Sequence, residues 1–473
     1  MKPSPTPFPL GPAHLVGIGG IGMSGIAEIM MNLGYQVQGS DMKESANVKR
    51  LREKGAVVHI GHVAENVTGT SAVIISSAIK DDNVEVQAAR AAGIPVVRRA
   101  DMLAEIIRLK WTVAVAGTHG KTTTTTMVAA LLDGAGIDPT VINGGIINAY
   151  GSNAKAGDGD WIVLEADESD GTFMKIRPTI AIVTNMDPEH MEHYGSMDAL
   201  RDAFDTYVGN IPFYGFGVLC TDHPEVAAMV ARVSDRRIIT YGYNRQADVR
   251  AVNLQPSAEG VTFDVMIRAQ LNAAERVIEQ VFLPMAGEHN VSNALAAIAV
   301  AVELGASNDQ LRDSLKAFGG VKRRFTQVGE WNGIKIIDDY AHHPVEIEAC
   351  LKAARAIQGQ GRVIAVSQPH RYSRLEDLFE EFAQCYREAD IAVITPVFAA
   401  GEAPIEGIDH TELVHSMQGH GHKQAQVLDD LVTLPDLIKE IAQPGDMVVC
   451  MGAGSISTHA NGLIAALNTS RLE

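Results

Sequence analysis

An apolar run, WTVAVAG at 111–117, passes through the short turn THG directly into the helical stretch KTTTTTMVAALLDG. A strand that turns over glycines into a helix belongs to a parallel sheet covered by helices, and the turn lies at the sheet's carboxyl edge, where ligands gather. Gly117 and Gly120 let backbone N–H groups close around phosphate oxygens, and the helix N-terminus adds partial positive charge. Lys121 can reach the outer phosphates, and Thr122 offers a hydroxyl to Mg²⁺. Only two residues separate the glycines here, where the common pattern has four, so the loop is a shortened form. The reading is an ATP-consuming enzyme whose triphosphate site comprises Gly117, Thr118, His119, Gly120, Lys121, Thr122 and Thr123.

The rest of the chain repeats this alternation. AHLVGIG, MSGIAEIMMNLG, YQVQGSD, SAVIISSA and IPVV read as βαβ units, and so do KIIDD, RVIAVSQ, IAVITPV and DMVVCMGAG near the other end. At 473 residues one core is too small, and three α/β domains are expected: 1–108, Rossmann-like; 109–320, a central P-loop ATPase domain; and 321–473, again Rossmann-like. Helices are expected from Lys121 to about Gly134, over NVSNALAAIAVAVELG, from Pro344, and through LEDLFEEFAQCYREA.

Further clusters suggest chemistry. Gly17, Gly19, Gly20 and Gly22 fit G-x-G-x-x-G after a strand, with Asp41 closing the next one. Such a turn fits the diphosphate of a dinucleotide or of a nucleotide sugar. Glu165, Asp167 and Glu168 follow the strand WIVL and are hard oxygen donors suited to Mg²⁺. Strand alternation would put Glu165 and Asp167 on one side and Glu168 elsewhere. His190, in TNMDPEHM, follows another strand as a further metal ligand.

The motifs GIGGIGMSGIAEI, SSAIKDDN, AGTHGKTTTT, EADESD, TNMDPEHM, GEHNVSNALAA, RRF, DDYAHHP, QPHRYSR and AGEAPI, in this order, resemble the Mur ligases, ATP-dependent amide-forming enzymes of peptidoglycan precursor synthesis. The resemblance covers nearly the whole chain and is closest to the alanine-adding branch. It implies ATP and Mg²⁺ as cofactors, UDP-N-acetylmuramate and L-alanine as substrates, and an acyl-phosphate intermediate. It implies that the N-terminal domain binds the UDP-sugar through the glycine loop, Asp41 and Ser77. Lys121 and Thr122 would hold triphosphate and Mg²⁺, with Glu165 and His190 as metal ligands. His289, Asn290 and Asn293 would frame the adenine, Asp339 the ribose, and Arg324 the phosphates. Tyr340, His342, Arg371 and Arg374 would surround the amino acid, with His342 as a base to test. Several branches use a carbamylated lysine in the central domain; this chain has no lysine between Lys175 and Lys316, which disfavours those branches.

Composition narrows the rest. A net charge of -18 argues against nucleic acid or an anionic membrane as partner. Cys220, Cys350, Cys385 and Cys450 form no Cys-x-x-Cys pair and read as buried thiols of a reducing cytoplasm. The proline-rich start lacks a signal-peptide core, so a soluble cytoplasmic protein is expected, with a homodimer as its possible assembly.

Overall fold

The computed structural model describes residues 11–76, 78–107, 110–169, 171–257, 259–268 and 275–469. Ser77 and residues 1–10 of the proline-rich start lie outside these residues.

Three sheets are present among the described residues. The first is parallel and runs from edge to edge Val57–Ile60, Val37–Asp41, Ala13–Val16, Ala72–Ile75, Val96–Arg98. The order reverses about the strand Ala13–Val16, so a crevice opens beyond its carboxyl end, where Gly17 turns the chain with φ 73°. All four residues of that strand are buried, as expected for a strand covered by helices on both faces.

The second sheet has ten strands. Its edge-to-edge order is Arg276–Leu283, Val261–Ile267, Val249–Pro256, Ile238–Gly242, Phe216–Cys220, Ile180–Val183, Trp111–Ala116, Trp161–Glu165, Thr140–Ile147, Ser152–Lys155. Trp111–Ala116 lies between Ile180–Val183 and Trp161–Glu165 and is parallel to both, so the ends of all three strands face one another. The helix Lys121–Gly134 packs on this sheet with Met127, Val128, Ala129, Leu131 and Leu132 buried. Ala294, Ala296, Ala297, Ala299 and Ala301 of the helix Glu288–Glu303 are fully buried, and their lack of bulk permits close packing.

The third sheet runs Thr326–Trp331, Ile334–Asp339, Met447–Met451, Val363–Ser367, Ile391–Ile394, Ala425–Val427. Its first pair is antiparallel and the others parallel. Two apolar clusters line its faces, one around Phe382 and Tyr386, the other around Ile336 and Leu463.

Compactness groups the chain into two units: Met1–Ala251 with Val265–Ile278 and Ser292–Gly319, and Val252–Asp264 with Glu279–Val291 and Gly320–Glu473. The first unit thus holds the first sheet and the parallel part of the second.

Two local expectations are revised. The stretch LEDLFEEFAQCYREA is broken into the helices Tyr372–Asp377 and Phe379–Gln384, because Leu378 between them leaves helical geometry at φ -123°, ψ 28°. The strand Trp161–Glu165 ends at Glu165, so alternation does not extend to Asp167 and Glu168.

Candidate active site

In the first unit, the loop after Trp111–Ala116 is built by glycine backbone and by its neighbours. Gly117 (φ 133°) and Gly120 (φ 81°) both have positive φ, which a side chain disfavours. A Cβ on Gly117 would collide with the Thr184 hydroxyl, and one on Gly120 would stand 2.7 Å from Asn293 Oδ1. The loop is then tied down. His119 N donates to Asn185 Oδ1 at 2.7 Å, Thr184 Oγ1 donates to His119 O at 2.7 Å, and Asp187 N donates to Thr118 Oγ1 at 2.8 Å. Thr124 Oγ1 donates to Asn293 Oδ1 at 3.1 Å, so Asn293 braces the loop from the helix Glu288–Glu303. Thr122 and Thr123 are buried at the start of the loop's own helix.

Lys121 folds back on this loop. Its ammonium donates to Gly117 O at 2.7 Å and Thr118 O at 3.0 Å, and pairs with Glu168 Oε1 at 2.8 Å. Burial alone would lower its pKa, but the carboxylates of Glu168, Glu165 and Asp167 overcome that and hold the ammonium charged above its ordinary range. Burial pushes the Glu168 carboxyl up to about 7 against the pull of Lys121, and Glu168 Oε2 is buried with no hydrogen-bond partner.

The metal-donor geometry differs in part from the sequence reading. Glu165 Oε2 accepts from Thr122 Oγ1 at 2.9 Å and from Gly144 N at 2.8 Å. His190 instead gathers with Glu168 and Glu189, with one donor atom of each lying within 4.8 Å of the others. His190 has φ 57°, a left-handed conformation that aims its ring, and burial lowers its pKa. Sequence reasoning missed Glu189, although it immediately precedes His190. It also missed the pairing of Glu168 with Lys121, because the turn after Glu165 redirects the chain.

Asp187, one strand end away, carries His119 Nε2 at 3.4 Å and His223 Nε2 at 3.3 Å. Burial opposes its charge, but those two histidines outweigh it and keep Asp187 well below the usual carboxylate range.

The G-x-G-x-x-G turn of the same unit is braced by the next strand: Gly17 N and Ile18 N donate to Ser40 O at 2.8 and 3.0 Å. Gly20 is the N-cap of the helix Ile21–Asn32. Asp41 Oδ2 accepts from Gly19 N at 2.9 Å, so this carboxylate shapes the turn itself. A Cβ on Gly22 would run into the Arg99 guanidinium, a cation beside the turn that sequence reading did not single out.

In the second unit, Asn290 is buried and donates to Ala286 O at 2.7 Å, and His289 packs against Gly287. Asp339 ends its strand and accepts from Phe325 N at 2.6 Å and Ala341 N at 2.7 Å. Burial pushes it up to about 6 in spite of Arg324. Arg323 and Arg324 lie over the Tyr340 ring at 4.7 and 5.3 Å. From there a series of rings continues: Tyr340 to His342 at 5.1 Å, His342 to His370 at 5.8 Å, and His370 stacked on Phe398 at 5.5 Å. The helix Pro344–Gln358 begins with proline at its first turn, and Glu346 caps it while taking His342 N at 3.1 Å.

Arg371 sits at φ 70° with its Nε on Glu402 Oε1 at 2.5 Å, and Ser373 donates to the same carboxylate through N and Oγ. Burial works against the Glu402 charge, but Ser373 and Arg371 hold it at about 2. Arg374 Nη1 meets His370 Nδ1 at 3.4 Å. Burial, then the neighbouring His342, Arg374 and Arg371, drive His370 down to about 4, leaving its imidazole neutral. The sequence-predicted Tyr340, His342, Arg371 and Arg374 are thus brought together, joined by His370, Phe398 and Glu402.

Comparison with known proteins agrees with this architecture. Residues 12–111 match the Mur ligase family, catalytic domain; 115–301 match the Mur ligase middle domain; and 323–454 match the Mur ligase, glutamate ligase domain. The UDP-N-acetylmuramate--L-alanine ligase of Hyphomonas neptunium is 67% identical over 470 residues, covering 98% of this chain and 99% of that one. The enzyme of the same name from Rhodospirillum centenum is 61% identical over 462 residues, covering 98% and 95%. The crystal structure of UDP-N-acetylmuramate-alanine ligase MurC from Thermotoga maritima superposes with a TM-score of 0.78 at 30% identity, covering 97% of this chain and all of that one. This chain belongs to the Mur ligase family.

Proposed function

We propose that the protein joins L-alanine to the carboxylate of UDP-N-acetylmuramate at the expense of ATP, giving UDP-N-acetylmuramoyl-L-alanine, ADP and phosphate for peptidoglycan synthesis. The observation that carries this reading is the convergence of the Lys121 loop with Glu168, Glu189 and His190 at one edge of the central sheet, in a chain 67% identical to a relative bearing that name.

Amide formation from a carboxylate is uphill in water, so the carboxylate must be activated. One of its oxygens attacks the γ-phosphorus, the bond to the bridging oxygen breaks, and ADP leaves with the electron pair. The alanine nitrogen then attacks the acyl carbon, phosphate departs, and the amine loses a proton. Lys121, released from Glu168, would neutralise the transferred phosphoryl oxygens, and backbone amides of 117–122 would orient them. Mg²⁺ would supply further neutralisation of the β- and γ-oxygens. The donors fit it: Thr122, Glu165, Glu168 and Glu189 are hard oxygen ligands, His190 a nitrogen one, and Glu168 Oε2 is an orphaned buried acceptor.

We assign 1–108 to the UDP-sugar, held by Gly17, Gly19, Gly20 and Gly22, with Ser77 carried over from the resemblance. The central 109–320 takes ATP, and 321–473 takes the amino acid and part of the nucleotide. His289, Asn290, Asn293 and Asp339 are assigned to adenine and ribose, and Arg324 to phosphate. Tyr340, His342, Arg371 and Arg374 are assigned to alanine, whose carboxylate suits paired guanidinium groups. We assign the protein to the cytoplasm, whose reducing conditions suit the free buried thiols of Cys220, Cys350, Cys385 and Cys450; no described helix is long and apolar enough to cross a membrane. A homodimer is also proposed, supported by the 96% exposure of the large apolar Phe213, and is tested by sedimentation over a concentration series.

The deciding experiment supplies ATP, Mg²⁺ and UDP-N-acetylmuramate with either L-alanine or the L-alanyl-γ-D-glutamyl-meso-diaminopimelate tripeptide. ADP release with alanine alone is expected; release only with the tripeptide would overturn the assignment.

A further inference from the structure

A second concavity, of about 710 Å³, opens at the other edge of the central sheet. Its wall includes Trp111, the first residue of the strand whose far end carries the ATP loop, together with Thr179 and Tyr214, which precede the strands Ile180–Val183 and Phe216–Cys220. Six residues of extended strand put it roughly 20 Å from Gly117, so it is no part of the triphosphate site. Ala104 and Ile107, from the helix Arg99–Ile107, close one side. The volume lies within the range of small-molecule sites.

Three features define what it would hold. The first is charge: in a chain of net charge -18, the described residues of this wall carry three cations, Lys110, Lys175 and Arg177, against one carboxylate, Asp160. Such a local reversal concentrates anions. The second is availability. Lys110 is received by Gly157 O, Gly159 O and Thr140 Oγ1, and Lys175 pairs with Asp101 at 2.8 Å. Arg177 is exposed and has no hydrogen bond or ion pair among the described residues, so its fork is open to a ligand. The third is the aromatic wall. Trp111 is 47% exposed and Tyr214 56%, their rings meeting edge to face at 5.5 Å, which leaves ring surface for a flat partner.

We propose that this cavity is a second ligand site, distinct from the triphosphate site, and that it takes an anion carrying a flat ring: an aryl or heteroaryl phosphate, sulfonate or carboxylate. The ring lies on Trp111 and Tyr214, and the acidic group pairs with Arg177.

Two fluorescent probes of matched shape test both halves: 8-anilinonaphthalene-1-sulfonate, an anion, and N-phenyl-1-naphthylamine, its neutral counterpart. Both are titrated into the full chain with saturating ATP and Mg²⁺. The anion is expected to bind one site that ATP does not displace, and Arg177→Ala to weaken it about tenfold while leaving the neutral probe unchanged. Because Arg177 is exposed and has no partner among the described residues, the variant should keep its melting temperature. Phe213→Ser, outside the wall, should leave anion binding intact. Displacement by ATP, equal affinity in Arg177→Ala, equal loss of both probes, or loss in Phe213→Ser, which would place the probe on the exposed Phe213, would each overturn the proposal.

Discussion

Lys121 and Glu168 illustrate how one buried pair can serve two states. Without nucleotide, Glu168 provides the counter-charge that lets Lys121 stay charged inside the loop. In the proposed reaction the triphosphate would take that place, and Glu168 would be free to offer an oxygen beside Glu189 and His190. Lys121→Ala should therefore lower alanine-dependent ADP release by at least about a hundredfold, the usual scale for losing one charge-stabilising group. Retained turnover would refute its role. Glu168→Gln keeps the shape but not the charge. It should raise the Mg²⁺ concentration for half-maximal activity by about tenfold while leaving the KM for UDP-N-acetylmuramate unchanged; an unaltered Mg²⁺ dependence would remove Glu168 from the metal donors. Chelation with EDTA should abolish turnover in the parent protein, restored by added Mg²⁺.

At the scale of elements, the loop 117–122 depends on what packs behind it. Gly120 combines positive φ with the contact of Asn293, so Gly120→Ala meets both backbone strain and a collision. The strain alone costs on the order of 1 kcal/mol, and the collision adds to it. Nucleotide binding, followed by calorimetry, should weaken at least about tenfold; because Asn293 is itself assigned to the adenine, the same substitution is also compared within an Asn293→Ala background, where the loss on adding Gly120→Ala should shrink only by the part due to the collision, and no loss at all there would show that φ is not limiting. The strand at 111–116 and the helix from Lys121 were legible because buried apolar runs, glycine turns and helical stretches leave local signals. So was the helix start at Pro344. What could not be read locally depends on tertiary pairing. Asp41 turned out to brace Gly19, a contact between residues 22 apart; Glu168 reached Lys121 only because the strand stops at Glu165; and Glu402 reached Arg371 from a loop 31 residues on. Arg99 left no signal, since nothing in its own sequence context shows that a helix start will face Gly22.

For the whole molecule, opposing carboxylate environments set the pH range of stability. Glu85 is fully buried in the first sheet's domain, accepting from Ser40 Oγ and Asn66 Nδ2 at 2.6 Å, with His62 Nδ1 at 2.9 Å and His14 Nε2 at 3.5 Å. Burial opposes its charge, but the nearby His14 and the Ser40 and Asn66 hydrogen bonds outweigh that and hold it at about 2. Because its folded pKa is depressed, its contribution is fully present above the unfolded value near 4.5 and is lost as pH falls from there through about 2. Glu168, raised to about 7, has the opposite sign: the fold loses stability as pH climbs from near 4.5 toward 7, because the unfolded chain ionises this group first. The nucleotide-free protein should accordingly be most stable in weak acid. At pH 3.5 the Glu85 network should already have lost about 1 kcal/mol. A chain with two compact units need not unfold in one step, so the first thermal transition is the quantity to follow. In Glu85→Gln that transition should start lower at pH 6 and fall less steeply between pH 6 and 3.5 than in the parent protein, because the group whose protonation drives the fall is gone. In Glu168→Gln the acid limb should be unchanged, and the decline between pH 5 and 7 should flatten instead. A parallel shift of the whole curve in both variants would mean that neither carboxylate titrates in these windows and that acid unfolding is governed by general charge repulsion.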